Sequence, residues 1–106
     1  MNDEMLFLTD QQFAKGSRDR VVLIPIGSIE PHGHLPLGID TFIPDRILRR
    51  VHEARDDTIL FPTIPLGYNF KYAGWSGSVS LSFDALKLVF SAGIIYLHTL
   101  KTEIWK

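Results

Sequence analysis

The order of apolar and polar residues changes period several times along this chain. After an apolar patch at residues 5–8, Thr9-Asp10-Gln11-Gln12 matches a capping box, with Thr9 as N-cap and Gln12 three residues on. A short helix to about Lys15 should follow, closed by Gly16, and the charged run Ser17-Arg18-Asp19-Arg20 reads as a solvated connection. Val21 to Ile26 is continuously apolar, the mark of a strand buried on both faces, with Pro25 at its end where a missing N–H is tolerated. From about Ile43 to Arg55 the period becomes helical. Ile43, Ile47, Val51 and Ala54 form a stripe expected to face the core, with Asp45, Arg46, Arg49, Arg50 and Glu53 outside and Pro44 in the first turn. Asp56-Asp57 ends the pattern, and Thr58-Ile59-Leu60-Phe61 reads as a second buried strand.

Strand, helix, strand is a βαβ unit, which requires parallel pairing and a right-handed crossover. The expected fold class is therefore α/β, with parallel-sheet layers and helices on the faces. Residues 62–78 form a loop rich in Pro, Gly and aromatic side chains, followed by an extended Val79-Ser80-Leu81 and Ser82 as N-cap of a helix over 83–99. Between Ala85 and Leu97 that helix carries only Lys87 and Ser91 as polar residues. It is too short for a membrane span, which needs about 20 apolar residues. A helix apolar all round is buried all round, so it should pack in a homo-oligomer or against an absent part of the domain. Lys101 to Lys106 resembles the approach to a third strand, which favours the incomplete domain.

Composition narrows the function more than the fold. The 106 residues suit one domain, and 45% apolar with 22% charged residues is an ordinary globular balance. A net charge of −1 gives no field to attract nucleic acid or an anionic membrane. Without cysteine, metal ligands must come from His, Asp and Glu. The acidic start Met1-Asn2-Asp3-Glu4 lacks a basic-then-apolar leader, so the cytoplasm is the expected compartment.

The chemistry concentrates in the loop from Gly27 to Asp40, which holds Glu30, His32, His34 and Asp40 on backbone stiffened by Pro31 and Pro36. On extended chain, positions i and i+2 point the same way. Glu30 and His32 can then reach one metal position or two adjacent ones, and Asp40 at the mouth of the next helix can join them. Two ions about 3.5–4 Å apart, bridged by a carboxylate, activate water in many hydrolases. Imidazole with carboxylates suits Zn²⁺ or Mn²⁺ better than Ca²⁺ or Mg²⁺. Local alternatives stay open: Glu30 as a loop acid, Asp40 as an N-cap, and His34, His52 and His98 as structural residues. No phosphate loop, serine-hydrolase elbow or His-Glu-x-x-His helix is present.

The run Ile24-Pro25-Ile26-Gly27-Ser28-Ile29-Glu30-Pro31-His32-Gly33-His34-Leu35-Pro36-Leu37-Gly38-Ile39-Asp40 resembles the signature of the creatininase (creatinine amidohydrolase) family. A second block, Pro65 to Tyr68 and Gly74 to Leu81, is similar to that family's Gly-Tyr-Ser-x-Glu-His and Pro-Gly-Thr-x-Ser-Leu segment. The resemblance implies a binuclear amidohydrolase of α/β architecture that acts on non-peptide C–N bonds of small amides and assembles as a homo-oligomer. It also implies Glu30, His32 and Asp40 as ligands, with Asp40 bridging, and His34 as a family histidine outside the ligand set. Gly33-His34 replaces the family's Gly-Pro-His, and Asn69, Lys71 and Tyr72 replace its Ser, Glu and His. Its later Asn-Gly-His block, with further ligands, would begin just past Lys106. The expectation is thus one creatininase-like domain over 1–106, incomplete relative to the family. It is either a metal-dependent amidohydrolase or a non-catalytic, self-associating α/β module. A pyrimidine-intermediate deformylase, as some relatives of the family are, would share the metal site.

Overall fold

The computed structural model describes residues 3–16 and 20–94. A 3₁₀ turn at Met5–Phe7 leads to α1, Asp10–Gly16. The capping box forms as expected: Thr9 N donates to Gln12 Oε1 at 2.9 Å and Gln12 N to Thr9 Oγ1 at 3.1 Å. Then come β1 (Val21–Leu23), α2 (Ile39–Ala54) and β2 (Thr58–Leu60), with Val21, Val22 and Leu23 paired in parallel to Thr58, Ile59 and Leu60. This is the expected βαβ unit.

β2 is the buried strand. Ile59 and Leu60 form the apolar centre beside Thr58, because β2 is covered on both edges. β1 lies along one edge, and Glu4 bridges to Leu60 along the other, where Leu60 N donates to Asp3 O at 3.0 Å. β1 was expected to be buried on both faces and to run to Ile26, but it is shorter and half-buried, with Val21 and Ile26 exposed. Pro25 and Pro62 bring no N–H to a ladder. Pairing resumes beyond them at Ile26 and Ile64, with Gly27 N donating to Ile64 O at 2.8 Å.

α2 corrects two expectations. It starts at Ile39, four residues early, so Pro44 lies inside the helix, and Gly38 rather than Asp40 is the N-cap. Proline offers no N–H to the Asp40 carbonyl four residues back. The helix also presents the other face. Ile43 is 48% and Ile47 56% exposed, whereas Pro44, Asp45, Leu48, Arg49 and His52 are turned partly inward. The polar members of that face each find a partner: Thr63 Oγ1 donates to Asp45 at 2.8 Å, Arg49 Nη1 to Glu4 at 2.8 Å, and His52 Nδ1 lies 2.6 Å from Thr58 Oγ1. Polar groups paired in this way can be buried at little net penalty. Arg20, expected in solvent, is likewise drawn in by Asp3 at 3.0 Å.

The loop after β2 contains a 3₁₀ turn at Phe70–Tyr72 and leads to α3, Phe83–Leu88, capped by Ser82, whose Oγ accepts from Ala85 N at 3.1 Å. A π turn, Val89–Ile94, continues it. Among the described residues the chain itself leaves part of this helix uncovered, as expected for a helix that needs a partner or more of the domain: Phe83 and Leu88 are 64% and 66% exposed. The rest of the predicted helix, His98 and the approach to a third strand lie outside the described residues. No helix among the described residues is long and apolar enough to cross a membrane.

Candidate metal centre

Because β1 and β2 are parallel, the loops that leave them emerge on one edge of the sheet, where open α/β folds bind ligands. The first loop is fixed at both ends. At its start, Gly27 lies against the first turn of α2: a Cβ there would stand 2.5 Å from Asp40 O and 2.6 Å from Thr41 Cα. Thr41 Oγ1 donates to Ser28 O at 2.8 Å, tying the loop to the helix that carries Asp40. Within it, Glu30 N donates to Leu37 O at 3.2 Å, and His32 and Leu35 pair across a two-residue turn whose first member, Gly33, has φ 63°. That positive φ suits glycine. His34, the other turn residue, is exposed at the tip.

These constraints bring the three predicted residues together. Donor atoms of Glu30, His32 and Asp40 all lie within 4.8 Å of one another. His32 Nε2 is 2.8 Å from Asp40 Oδ2 and 3.3 Å from Glu30 Oε1. Yet Nε2 is buried and has no hydrogen-bond partner, since neither oxygen lies along the direction of a ring N–H. A nitrogen wedged between two carboxylate oxygens without bonding to either has the layout of co-ligands. Ligands about 2.0–2.2 Å from one tetrahedral ion stand roughly 3.3–3.6 Å apart, which the Glu30–His32 separation matches, while the 2.8 Å between His32 and Asp40 is shorter and would have to open on binding. The donor set and the orphaned nitrogen therefore fit a divalent cation.

Sequence reasoning did not give Asn69 a role at this site. Asn69 is 6% exposed, and its Nδ2 donates to Ile29 O at 3.2 Å and to Ser78 Oγ at 3.2 Å. Val79 N also donates to Ile29 O, at 3.1 Å. Beyond it the aromatic loop shows Tyr72 edge-on to Trp75 at 5.7 Å, with the Lys71 ammonium 5.1 Å above the Tyr72 ring. Its signal in the sequence was the departure from the family's serine.

Fold and site together describe an α/β domain whose loop edge gathers three groups able to hold a metal ion. The family described as creatininase, creatinine amidohydrolase, matches residues 7–98, so the chain belongs to the creatininase family of metal-dependent amidohydrolases. Among curated relatives, the mycofactocin precursor peptide peptidase of Mycolicibacterium smegmatis is 37% identical over 75 residues, covering 65% of this chain and 30% of that protein. Its Mycobacterium tuberculosis counterpart is 32% identical over 78 residues, covering 64% of this chain and 31% of that protein. Among solved structures, a manganese creatininase superposes with a TM-score of 0.83 at 23% identity, over 93% of this chain and 41% of that one. A creatininase variant complexed with creatine gives 0.83 at 24%, and one of Zn–Zn type gives 0.82 at 23%. The chain thus spans about a third of the curated relatives' length and 41% of the solved chains.

Proposed function

We propose that Glu30, His32 and Asp40 bind a divalent ion, Zn²⁺ or Mn²⁺, for the hydrolysis of an amide C–N bond. The observation that carries this reading is the buried, unbonded His32 Nε2 between two carboxylate oxygens. When bound, such an ion acidifies water toward a pKa of about 7 and polarises a carbonyl. The chain's own groups do the rest. Glu30 and Asp40 supply the negative charge that balances the cation, Asp40 from the first turn of α2. Asp40 is the most open of the three, its side chain 41% exposed, and faces the solvent from which water and substrate arrive. A bridged pair of ions, as the family resemblance implies, would draw on ligands beyond these three.

Two substrate classes have support in the names of relatives: a small amide, as for creatininase, and a peptide amide, as for the mycobacterial peptidases. We assign the non-peptide C–N bond first, on the family match. The deciding experiment is metal content per chain after equilibration with buffered Zn²⁺ and Mn²⁺, for the wild type and Glu30→Ala. Bound metal that the variant loses supports the reading; none in the wild type ends it. A second reading, a self-associating module without catalysis, is favoured by the exposed Phe42, Ile43 and Ile47 of α2 and the exposed Phe83, Leu88 and Val89. No metal uptake together with concentration-dependent sedimentation selects it.

A further inference from the structure

We infer that Asn69 is a positioning residue for the metal loop, acting through the Ile29 carbonyl, and that it couples the aromatic loop to metal affinity. The inference rests on the metal reading of Glu30, His32 and Asp40.

Two backbone carbonyls just before Glu30 are each gripped by a side chain from elsewhere. Ser28 O accepts from Thr41, next to Asp40 on α2, and Ile29 O accepts from Asn69, 40 residues away in sequence. The first grip sets Glu30 against Asp40. The second sets the same loop against the segment that opens the Phe70–Tyr72 turn. Asn69 is itself held at two further points: its N donates to Ser80 Oγ at 2.9 Å and its Nδ2 reaches Ser78 Oγ, while Ser80 Oγ donates onward to Leu81 O at 2.9 Å.

The feature that points to a role beyond packing is Asn69 Oδ1, which is buried with no partner. An unpaired buried acceptor is costly. The amide leaves one of its atoms unsatisfied while its other atom holds Ile29 O. Glu30 follows Ile29 directly, so a shift of that carbonyl tilts the Glu30 peptide and moves its carboxylate relative to His32. Groups that orient ligands typically change metal affinity 10–100-fold when removed.

The test uses the 106-residue chain and Co²⁺ as probe, followed by its visible absorption, with Zn²⁺ competition for affinity. Wild type, Asn69→Ala, Asn69→Leu and Thr9→Ala are compared. Asn69→Leu keeps the branched shape and removes the donor facing Ile29 O without adding a charge, so it reports even if Asn69→Ala fails to fold. Thr9→Ala removes the cap of α1 and touches neither the loop nor α2. The expected result is roughly 10–100-fold weaker binding and an altered Co²⁺ spectrum in the Asn69 variants, with Thr9→Ala unchanged in both. Unchanged affinity and spectrum in Asn69→Leu, or equal weakening in Thr9→Ala, overturns the inference while leaving the metal reading intact. If the wild type takes up no ion, or if Glu30→Ala leaves uptake unchanged, the metal reading fails instead.

Discussion

Gly27 and Asp40 are in backbone contact: a Cβ on Gly27 would fall 2.5 Å from the Asp40 carbonyl oxygen and 2.7 Å from Thr41 Oγ1. That approach brings the start of the metal loop against the helix that carries the third ligand. It comes at the carbonyl that Pro44 leaves without its helical N–H donor. Gly27→Ala must push α2 away, because the obstructing atoms are backbone rather than the end of a flexible side chain. The expected cost is about 1–3 kcal/mol, read as a lower urea midpoint. Metal affinity should fall with it, because Asp40 moves relative to His32. A midpoint equal to wild type would show that the loop yields instead.

The charge balance at the site predicts a change of sign. Without metal, Glu30 and Asp40 place two carboxylates within 4.8 Å of each other's donor atoms, and like charges so close oppose folding weakly. Glu30→Gln should therefore leave the metal-free chain at pH 8 unchanged or up to about 0.5 kcal/mol more stable. In excess Zn²⁺ the order should reverse, because a ligand at 100 times its Kd stabilises the wild type by about 2.7 kcal/mol. Thermal unfolding with EDTA and with Zn²⁺ measures both halves. The same order under both conditions argues against a bound cation.

Thr41 should link the two parts of the site. Thr41→Val keeps the shape and removes the hydroxyl that donates to Ser28 O. A single such hydrogen bond contributes about 0.5–1.5 kcal/mol, so a loss of that size in the urea midpoint is expected. Metal binding should weaken as well. A stability loss with unchanged metal affinity would mean that the Ser28 contact holds the chain but not the site.

How much of this was legible in the sequence depended on how local each cause is. The Thr9–Gln12 box lies within four residues, and it forms as read. Glu30, His32 and Asp40 were all singled out in the sequence, where alternation on extended chain and the family motif point the same way, and the folded loop gathers their donor atoms within 4.8 Å. The face of α2 was not legible. Ile43 and Ile47 make a convincing stripe, yet helix orientation is set by Gly27 against Asp40 and by Asp45, Arg49 and His52 finding Thr63, Glu4 and Thr58. Glu4 and Thr63 lie 45 and 18 residues from their partners, and Thr58, only six from His52, meets it across the connection from α2 to β2. Asn69 was missed for the same reason.

The inward polar face of α2 also predicts an acid response. Asp45 is held below its ordinary pKa of 3.8, first by the hydrogen bond from Thr63 and then by the hydrogen bond and charge of Arg49, with burial opposing them. A carboxyl group whose folded pKa is depressed binds fewer protons folded than unfolded in that range, so stability rises with pH there. Its contribution is fully present above 3.8 and is lost as pH falls through the lower folded value. With 37% of the side chain exposed, solvent screening limits that contribution to about 1 kcal/mol at most. Thr63→Val removes the leading cause. Urea midpoints at about pH 6 and pH 3 should show the wild type losing more stability across the interval than the variant. The gap should narrow toward the acid end, as the carboxylate takes up its proton. Equal losses would place the acid sensitivity of this fold in other carboxylates and leave the Asp45–Thr63 pair a bystander.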